Sequence, residues 1–235
     1  MRIALIADLH GNLPATLAVA EDIKKRGADT IYCLGDLIGK GPDSPETMDW
    51  AFANCEIILG GNWDLLIAQA TEPSDAVQWY RNQLGSARLR KLAALLLEHW
   101  FTFSGRKVRL VHGRPVVPKT VHHDSPREEH EWFFDVPGKP DVVGFADIHE
   151  PFYLMSDGRT LFNTGSVGNP IVLSQTAATY MMLDGELGGD AADISYTIHM
   201  VEYDREQAVS RTLARPGLPM GDAFINEIRT GKYSR

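Results

Sequence analysis

Cysteine is scarce in this sequence, since the 235 residues include only two, Cys33 and Cys55. A single pair cannot form the disulfide framework that staples a small secreted domain. Cys33 lies in an apolar run, and Cys55 follows a predicted helix. We therefore expect both side chains to be packed, reduced thiols, as is usual in cytoplasmic proteins.

Long apolar stretches and an excess of positive charge are also missing. No window is apolar enough to span a bilayer, and the five apolar residues before Asp8 are too few for a signal peptide. The sequence has 23 Lys and Arg against 31 Asp and Glu, a net charge of −8. Such a chain is poorly suited to bind the phosphates of DNA or RNA. We expect a cytoplasmic protein without a membrane or a stable nucleic-acid partner.

Three common sequence signatures are absent as well. The chain has no Walker A sequence and no G-x-G-x-x-G, which argues against nucleotide binding by those routes. Ser166 lies in T-G-S-V-G, which lacks the first glycine of a G-x-S-x-G elbow, so we do not predict it to be a nucleophile. The remaining composition, 44% apolar and 23% charged, is typical of a globular protein with its own core.

The first 60 residues alternate between predicted strands and helices. Short apolar runs predict buried strands over residues 3–7 and 31–34 and a third strand over residues 57–59. Asn12 is the predicted cap of a first helix that Gly27 ends, and Asp43 or Ser44 starts a second helix through Ala53. This βαβαβ order is typical of a mostly parallel sheet covered by helices.

The rest of the chain is first helical and then strand-like. Helices are predicted over residues 75–84, 86–99 and 205–228, the last broken near Pro216. Strands are predicted over residues 108–111, 142–144, 153–155, 160–162, 179–183 and 194–201. The dipeptides Asp157-Gly158 and Asp184-Gly185 predict two hairpins. We predict one domain over residues 1–235, an α/β protein with two sheets.

Polar side chains follow the predicted strands at the points where the strands end. Asp8 and His10 close the first strand, Asp36 closes the second and Asn62 closes the third. The carboxyl ends of neighbouring parallel strands border one crevice, where α/β proteins bind their ligands. We therefore expect these side chains to converge. The i, i+2 spacing of Asp8 and His10 would point both to one side of an extended chain.

Three more polar residues, His112, Asp147 and His149, follow later strands. An Asp after a strand is often only a helix cap or a turn residue, and we assign capping roles to Asn12 and Asp43. The set as a whole offers carboxylate, imidazole and amide donors and no thiolate. Those donors argue against a structural zinc cluster and suit Mn, Fe, Ni or catalytic Zn. One carboxylate between two such clusters can bridge two ions, an arrangement used on phosphate esters.

These residues occur in blocks that resemble the calcineurin-like metallophosphoesterases. The motifs of that family are D-x-H, G-D, G-N-(H/D), a lone His and G-H-x-H, in that order. The corresponding blocks are ADLHGN at 7–12, LGDLIGKGPDS at 34–44, GGNWD at 60–64, VHG at 111–113 and ADIHEPF at 146–152. NTGSVGNP at 163–170 is similar to a further block. The resemblance is strongest to the small bacterial and archaeal phosphodiesterases. It implies an α/β sandwich, with two mixed β-sheets flanked by helices.

The resemblance also implies a dinuclear metal site with a role for each strand-end residue. The implied ligands are Asp8, His10 and His149 for the first ion, Asp36 as the bridge, and Asn62, His112 and Asp147 for the second. Asp36, Asn62 and His112 are also predicted to be catalytic. The implied cofactors are two divalent metal ions, manganese first, with iron, nickel or zinc as alternatives.

Two positions in these blocks, Asp147 and Trp63, depart from the pattern of the family. Asp147 replaces the first His of G-H-x-H; we expect it to ligate the second ion, and the alternative is a turn-capping carboxylate. Trp63 stands where many members have a His that can protonate the leaving group, whereas an indole can only pack.

Lys40 falls where some members have a phosphate-binding Arg, and we expect it to be a solvated loop lysine. Residues 114–130 resemble an ordinary surface loop, with a lid as the alternative.

The resemblance implies a metal-dependent phosphoesterase, and we predict a phosphodiesterase acting on a small phosphate ester. A hydroxide bridging the two ions would attack phosphorus in line with the leaving group, without a covalent enzyme intermediate. Two alternatives remain open. One is a phosphomonoesterase or protein phosphatase. The other is a partly degenerate, protein-binding scaffold, which the departures at Asp147 and Trp63 favour.

Overall fold

The computed structural model describes residues 1–171 and 176–234. The strands are β1 (Arg2–Ile6), β2 (Thr30–Cys33), β3 (Ile57–Ile58), β4 (Glu98–Phe103), β5 (Arg106–Val111), β6 (Val142–Phe145), β7 (Phe152–Ser156), β8 (Arg159–Asn163), β9 (Ala178–Asp184) and β10 (Ser195–Val201). The helices are α1 (Leu13–Lys25), α2 (Ser44–Asn54), α3 (Asn62–Gln69), α4 (Asp75–Ala93), α5 (Arg127–Glu131), α6 (Arg205–Leu213) and α7 (Gly221–Thr230). In these ranges, no helix combines the length and the hydropathy needed to cross a membrane.

Two mixed sheets of five strands each form the framework. The first sheet has the order β10-β9-β1-β2-β3, and its centre is parallel, with Ile3 opposite Thr30. The second has the order β4-β5-β6-β8-β7, with a parallel centre and an antiparallel strand at each edge. Asp157-Gly158 joins β7 to β8 as predicted, and residues 185–194 form the longer connection from β9 to β10.

Alternate side chains of β1 enter two different cores. Ile3 and Leu5 lie between the two sheets and pack with residues such as Leu110 of β5. Ala4 and Ile6 point the other way, into a core that α1, α2, α4, α6 and α7 complete. All of these side chains are fully buried, which explains why the sequence of β1 is continuously apolar rather than alternating. A third core covers the outer face of the second sheet.

One of the predicted helices is wrong at its end. The helix predicted over 86–99 stops at Ala93, and β4 begins at Glu98. Residues after Glu98 pair with β5 along the whole strand, so a long-range contact decides a conformation that the local pattern does not. Gly85, with φ of 71°, kinks α4 between the two predicted helical stretches. The short helices α3 and α5 were not predicted.

The two predicted caps differ in outcome. Asn12 Oδ1 accepts a hydrogen bond from Ala15 N at 3.2 Å and caps α1 as predicted. Asp43 precedes α2 but makes no side-chain capping bond, so that prediction is wrong. Its carboxylate instead accepts from Arg211 Nε at 2.7 Å and Nη2 at 2.8 Å. A guanidinium fork binds a buried carboxylate more strongly than one backbone N–H does, and this pair ties α6 to α2.

Candidate metal centre

The loops that follow β1 and β2 run side by side at the carboxyl ends of the strands. Asp8 N donates to Gly35 O at 2.9 Å, and His10 N donates to Asp36 O at 3.0 Å. Neither loop is extended, because φ is 53° at Asp8, 43° at His10 and 52° at Asp36. The side chains converge as predicted, but the extended-chain argument for their direction is wrong.

Left-handed backbone is concentrated at this place. The described part of the chain has ten residues other than glycine with positive φ. Six of them surround the centre, namely Asp8, His10, Asp36, Lys40, Asp147 and His149. Such conformations are rare and costly for L-residues with a side chain, and they cluster at functional sites. The backbone therefore marks the same site that the strand-end residues indicate.

The side chains form two overlapping groups that could hold metal ions. One group is Asp8, His10 and His149, and the other is Asp8, Asp36 and His112. The candidate ligand atoms of each group lie within 4.8 Å of one another, and all five residues are buried. Asp8 belongs to both groups. Asp36 Oδ2 also lies between them, 3.6 Å from His10 Nε2 and 3.5 Å from His112 Nε2.

The three histidines present the same ring nitrogen to the centre. Their Nδ1 atoms lie near carbonyl oxygens, 3.3 Å from Ile38 O for His10, 2.8 Å from Leu34 O for His112 and 2.5 Å from Asn169 O for His149. Because a carbonyl only accepts, Nδ1 carries the proton and Nε2 of a neutral ring keeps its lone pair. Nε2 of His10 and Nε2 of His149 are 3.1 Å apart, and His112 Nε2 is 3.1 Å from Asn62 Oδ1. Two neutral imidazole nitrogens that face each other as those of His10 and His149 do repel unless a cation lies between them.

The buried carboxylates of the centre are stable only with a positive charge close by. Both oxygens of Asp8 are buried and have no hydrogen-bond partner among the described residues, which is costly without a cation. Burial lowers the pKa of His10 well below its usual value and keeps the ring neutral. Burial alone would lower the pKa of His112, but Asp36, Asp8 and Asp147 raise it to about 10. Inward imidazole nitrogens and unpaired carboxylates are a donor set that fits divalent metal ions.

Asp64 supports the centre, a role that our sequence analysis missed. Its Oδ2 accepts from Asp36 N at 2.8 Å and Gly61 N at 3.0 Å, and its Oδ1 accepts from Leu37 N at 3.0 Å. Burial, and then the charge of Asp36, raise the pKa of this fully buried carboxyl. Asp64 is the third residue of α3, and the acceptor that its carboxylate offers to Gly61 N, just before the helix, is the local signal in the sequence.

The block over residues 163–170 supports the centre from the opposite side. Ser166 Oγ donates to Asp8 O at 3.0 Å. Asn169 O accepts the hydrogen bond from His149 Nδ1 at 2.5 Å. The block therefore contacts Asp8 of the first motif block and His149 of the last, and the hydroxyl of Ser166 is engaged in holding the loop of Asp8.

Asp147 lies outside both groups. Its Oδ1 accepts from Arg114 Nη2 at 2.6 Å, and its Oδ2 accepts from Arg114 Nε at 2.8 Å. A Cβ on Gly113 would lie 2.8 Å from Asp147 Cβ, so glycine permits this close approach. The structure thus brings six of the seven predicted ligands together and pairs the seventh with an arginine. Arg114 was missed by our sequence analysis, although it directly follows the V-H-G block.

The centre opens into a cleft of about 840 Å³. Lys40 lines this cleft but is only 5% exposed, so the prediction of a solvated lysine is wrong. Its Nζ donates to Asn169 Oδ1 at 2.6 Å and lies 3.3 Å from Glu227 Oε2. The cause is Glu227 on α7, which lies far away in the sequence and supplies a buried counter-charge.

Trp63 packs at the wall of the cleft. Its indole stands edge-to-face against His10, with 6.0 Å between ring centroids, and against Tyr80 at 6.2 Å. A Cβ on Gly39 would lie 2.4 Å from the indole. The packing role predicted for this side chain is confirmed, and the indole helps to hold the ring of His10.

Residues 114–130 form a packed wall of the cleft rather than a free lid. Val117 and Val121 are buried in the core on the outer face of the second sheet. His122 reaches the cleft, and its Nδ1 lies 3.6 Å from Glu150 Oε2. The apolar anchors of this segment explain why it is not an ordinary surface loop.

Comparison with known proteins identifies the family of this chain. The model of the calcineurin-like phosphoesterase superfamily domain matches residues 1–187. The chain therefore belongs to the calcineurin-like phosphoesterase superfamily, and it is a metal-dependent hydrolase of phosphoester bonds. The predicted family, the predicted sandwich of two mixed sheets and the predicted class of enzyme are confirmed.

Individual proteins are similar to this chain over most of its length. An uncharacterized protein of Methanocaldococcus jannaschii is 29% identical over 231 residues, which covers 89% of this chain and 90% of the relative. A metallophosphoesterase from Sphaerobacter thermophilus has a similar fold, with a TM-score of 0.79, 23% identity and coverage of 98% and 99% of the two chains. A hypothetical protein from Pyrococcus horikoshii is similar too, with a TM-score of 0.80, 21% identity and 99% coverage of both chains.

Proposed function

We propose that the protein is a phosphodiesterase that works with two divalent metal ions, manganese first among them. The proposed ligands are Asp8, His10, Asp36, Asn62, His112 and His149. The carboxylate of Asp8 carries the proposal, because it is buried, shared by both groups and without a hydrogen-bond partner among the described residues. Asp36 is the proposed bridge, since its Oδ2 faces one histidine of each group.

The surrounding residues would orient the centre before substrate arrives. Each Nδ1–carbonyl hydrogen bond fixes the plane of one imidazole and directs its Nε2 inward. Asp64 holds the loop of Asp36, and Ser166 holds the loop of Asp8. Divalent ions bound there would offset the charge of the phosphate oxygens and lower the pKa of water for attack on phosphorus.

Charge and protonation favour a diester over a monoester as the substrate. A diester brings one negative charge, whereas a monoester brings close to two at neutral pH, and the centre already buries Asp8 and Asp36. The indole of Trp63 cannot protonate a leaving group. Aryl and other good leaving groups depart without such help, so they should be preferred. The open cleft gives room for two ester groups on one phosphorus.

The first test is metal content together with ester hydrolysis. Manganese-loaded protein should hold two ions per chain by elemental analysis, and it should cleave bis(4-nitrophenyl) phosphate faster than 4-nitrophenyl phosphate. Asp8→Asn should lose bound metal and most of the activity, because an amide is a weaker ligand than a carboxylate. Asp49→Asn, an exposed carboxylate paired with Arg88 outside the cleft, is the matched control and should change neither.

The outcomes separate the parts of the proposal. At most one ion per chain would reject the dinuclear centre. Faster hydrolysis of the monoester would reject the diesterase and favour a phosphomonoesterase or protein phosphatase. Full metal content in Asp8→Asn would reject the role given to Asp8.

A further inference from the structure

Arg114 and Asp147 form an ion pair that lies beside the two metal-binding groups and belongs to neither. The contact is a fork, with Arg114 Nη2 2.6 Å from Asp147 Oδ1 and Nε 2.8 Å from Oδ2. The side chain of Asp147 is 2% exposed, whereas that of Arg114 is 41% exposed. The carboxylate of Asp147 is therefore buried, and the guanidinium of Arg114 lies at the wall of the cleft.

This pairing changes the charge of the centre. An Asp in place of a neutral His would add one negative charge next to Asp8 and Asp36, but Arg114 cancels it. The fork occupies Nε and Nη2 of the guanidinium, which leaves Nη1 for another acceptor. A fixed cation at the wall of a cleft whose floor binds metal is placed to receive an anion.

We propose that Arg114 binds the phosphate oxygens of the substrate, and that Asp147 is a positioning residue for Arg114 rather than a metal ligand. The inference rests on the proposed phosphodiesterase function and adds a specificity-determining contact to it. A guanidinium suits this role, because it binds phosphate through directed, charge-assisted hydrogen bonds. Its anchoring by a buried carboxylate removes part of the entropy cost of ordering a long side chain on binding.

The alternative, that Asp147 ligates the second ion, makes a different prediction for the same variants. A metal ligand matters whether or not Arg114 is present. A positioning residue matters only through Arg114, so its effect should vanish once Arg114 has been replaced. A double-mutant cycle separates the two roles.

The experiment compares Arg114→Ala, Arg114→Lys, Asp147→Asn and the double variant Arg114→Ala/Asp147→Asn, each loaded with manganese. Calorimetry gives the Kd of inorganic phosphate, elemental analysis gives the metal content, and bis(4-nitrophenyl) phosphate gives KM and kcat. Arg114→Ala should raise the Kd of phosphate and the KM by about 10- to 100-fold, as for the loss of a charged hydrogen bond. Arg114→Lys should recover part of this loss.

Asp147→Asn should weaken phosphate binding less than Arg114→Ala does and should keep the full metal content. The double variant should bind phosphate as Arg114→Ala does. It also leaves no unpaired buried charge, so it serves as the variant whose folding is least affected. Arg88→Ala is the matched control, because Arg88 makes the same fork to Asp49, at 2.9 and 2.6 Å, outside the cleft.

Three results would overturn the inference. They are an unchanged Kd of phosphate in Arg114→Ala, a loss of one ion in Asp147→Asn, and a double variant clearly weaker than Arg114→Ala. Failure of the proposed function has its own signature. Wild-type protein that binds manganese and phosphate but does not cleave the diester would reject the proposed phosphodiesterase, while the Kd of phosphate would still decide the role of Arg114.

Discussion

Breaking the buried ion pair of Lys40 and Glu227 should destabilise the protein by about 3 kcal/mol. Glu227 Oε2 accepts from Lys40 Nζ at 3.3 Å and Asn169 Nδ2 at 2.9 Å, and Oε1 accepts from Ser234 N at 3.0 Å. Glu227→Gln keeps the shape of the side chain and removes the counter-charge of a buried lysine. Loss of one partner of a buried pair costs about 3–5 kcal/mol. We expect the low end of that range, because Lys40 borders the cleft and water can reach it.

Replacing the lysine instead of the glutamate should lower the free energy of unfolding by more. Lys40→Met leaves the carboxylate of Glu227, which is fully buried, without its cation, and we expect about 4–5 kcal/mol. The double variant Lys40→Met/Glu227→Gln removes both charges, so its cost should fall short of the sum by about 2–3 kcal/mol. Urea unfolding of the four proteins, analysed where their m-values agree, measures these free energies.

The matched control is an exposed ion pair between α6 and α7. Arg229 Nη2 lies 2.7 Å from Glu206 Oε2, and the side chains are 47% and 70% exposed. Glu206→Gln should cost less than about 1 kcal/mol, since exposed pairs contribute little. The reasoning is refuted if Glu227→Gln destabilises no more than this control, or if the coupling between Lys40 and Glu227 is below about 0.5 kcal/mol.

Three further outcomes follow from the centre and its supports. Asp36→Asn should remove most activity and at least one bound ion, because an amide bridges cations poorly; full metal content by elemental analysis would contradict this. Chelation with EDTA should lower the Tm, because ions that bind only the folded chain stabilise it, and an unchanged melting curve would argue against bound metal. Trp63→His should speed poor leaving groups, where general acid help is worth about 10²–10⁴-fold; kcat/KM across a series of aryl diesters measures this, and a flat wild-type series would show that another group already supplies the proton.

The sequence was most informative where a short stretch of residues carries the whole signal, as the apolar strands and the motif blocks do. The apolar runs of the first 60 residues predicted β1, β2 and β3. The clearest run is that of β1, which is buried on both faces and therefore continuously apolar. The order of the motif blocks predicted the family. The prediction that the strand-end residues converge follows from the same parallel topology, which brings the loops after β1 and β2 together.

What the sequence did not provide depends on partners far away in the chain. The burial of Lys40 requires Glu227 on α7, and the pairing of Asp147 requires Arg114. No local pattern contains either contact. The single domain over residues 1–235, the cytoplasmic localisation and the lack of a stable nucleic-acid partner stay predictions.

The left-handed backbone at the metal centre has a consequence for protein engineering. Conformations of this kind cost of order 1–3 kcal/mol each, and like charges such as Asp8 and Asp36 add repulsion in the ion-free protein. The fold therefore carries an energetic burden at the residues that the chemistry needs. Library selection for heat resistance alone should favour glycine or neutral residues at these positions and drift toward inactive proteins. A screen for robust variants should score turnover and melting temperature together.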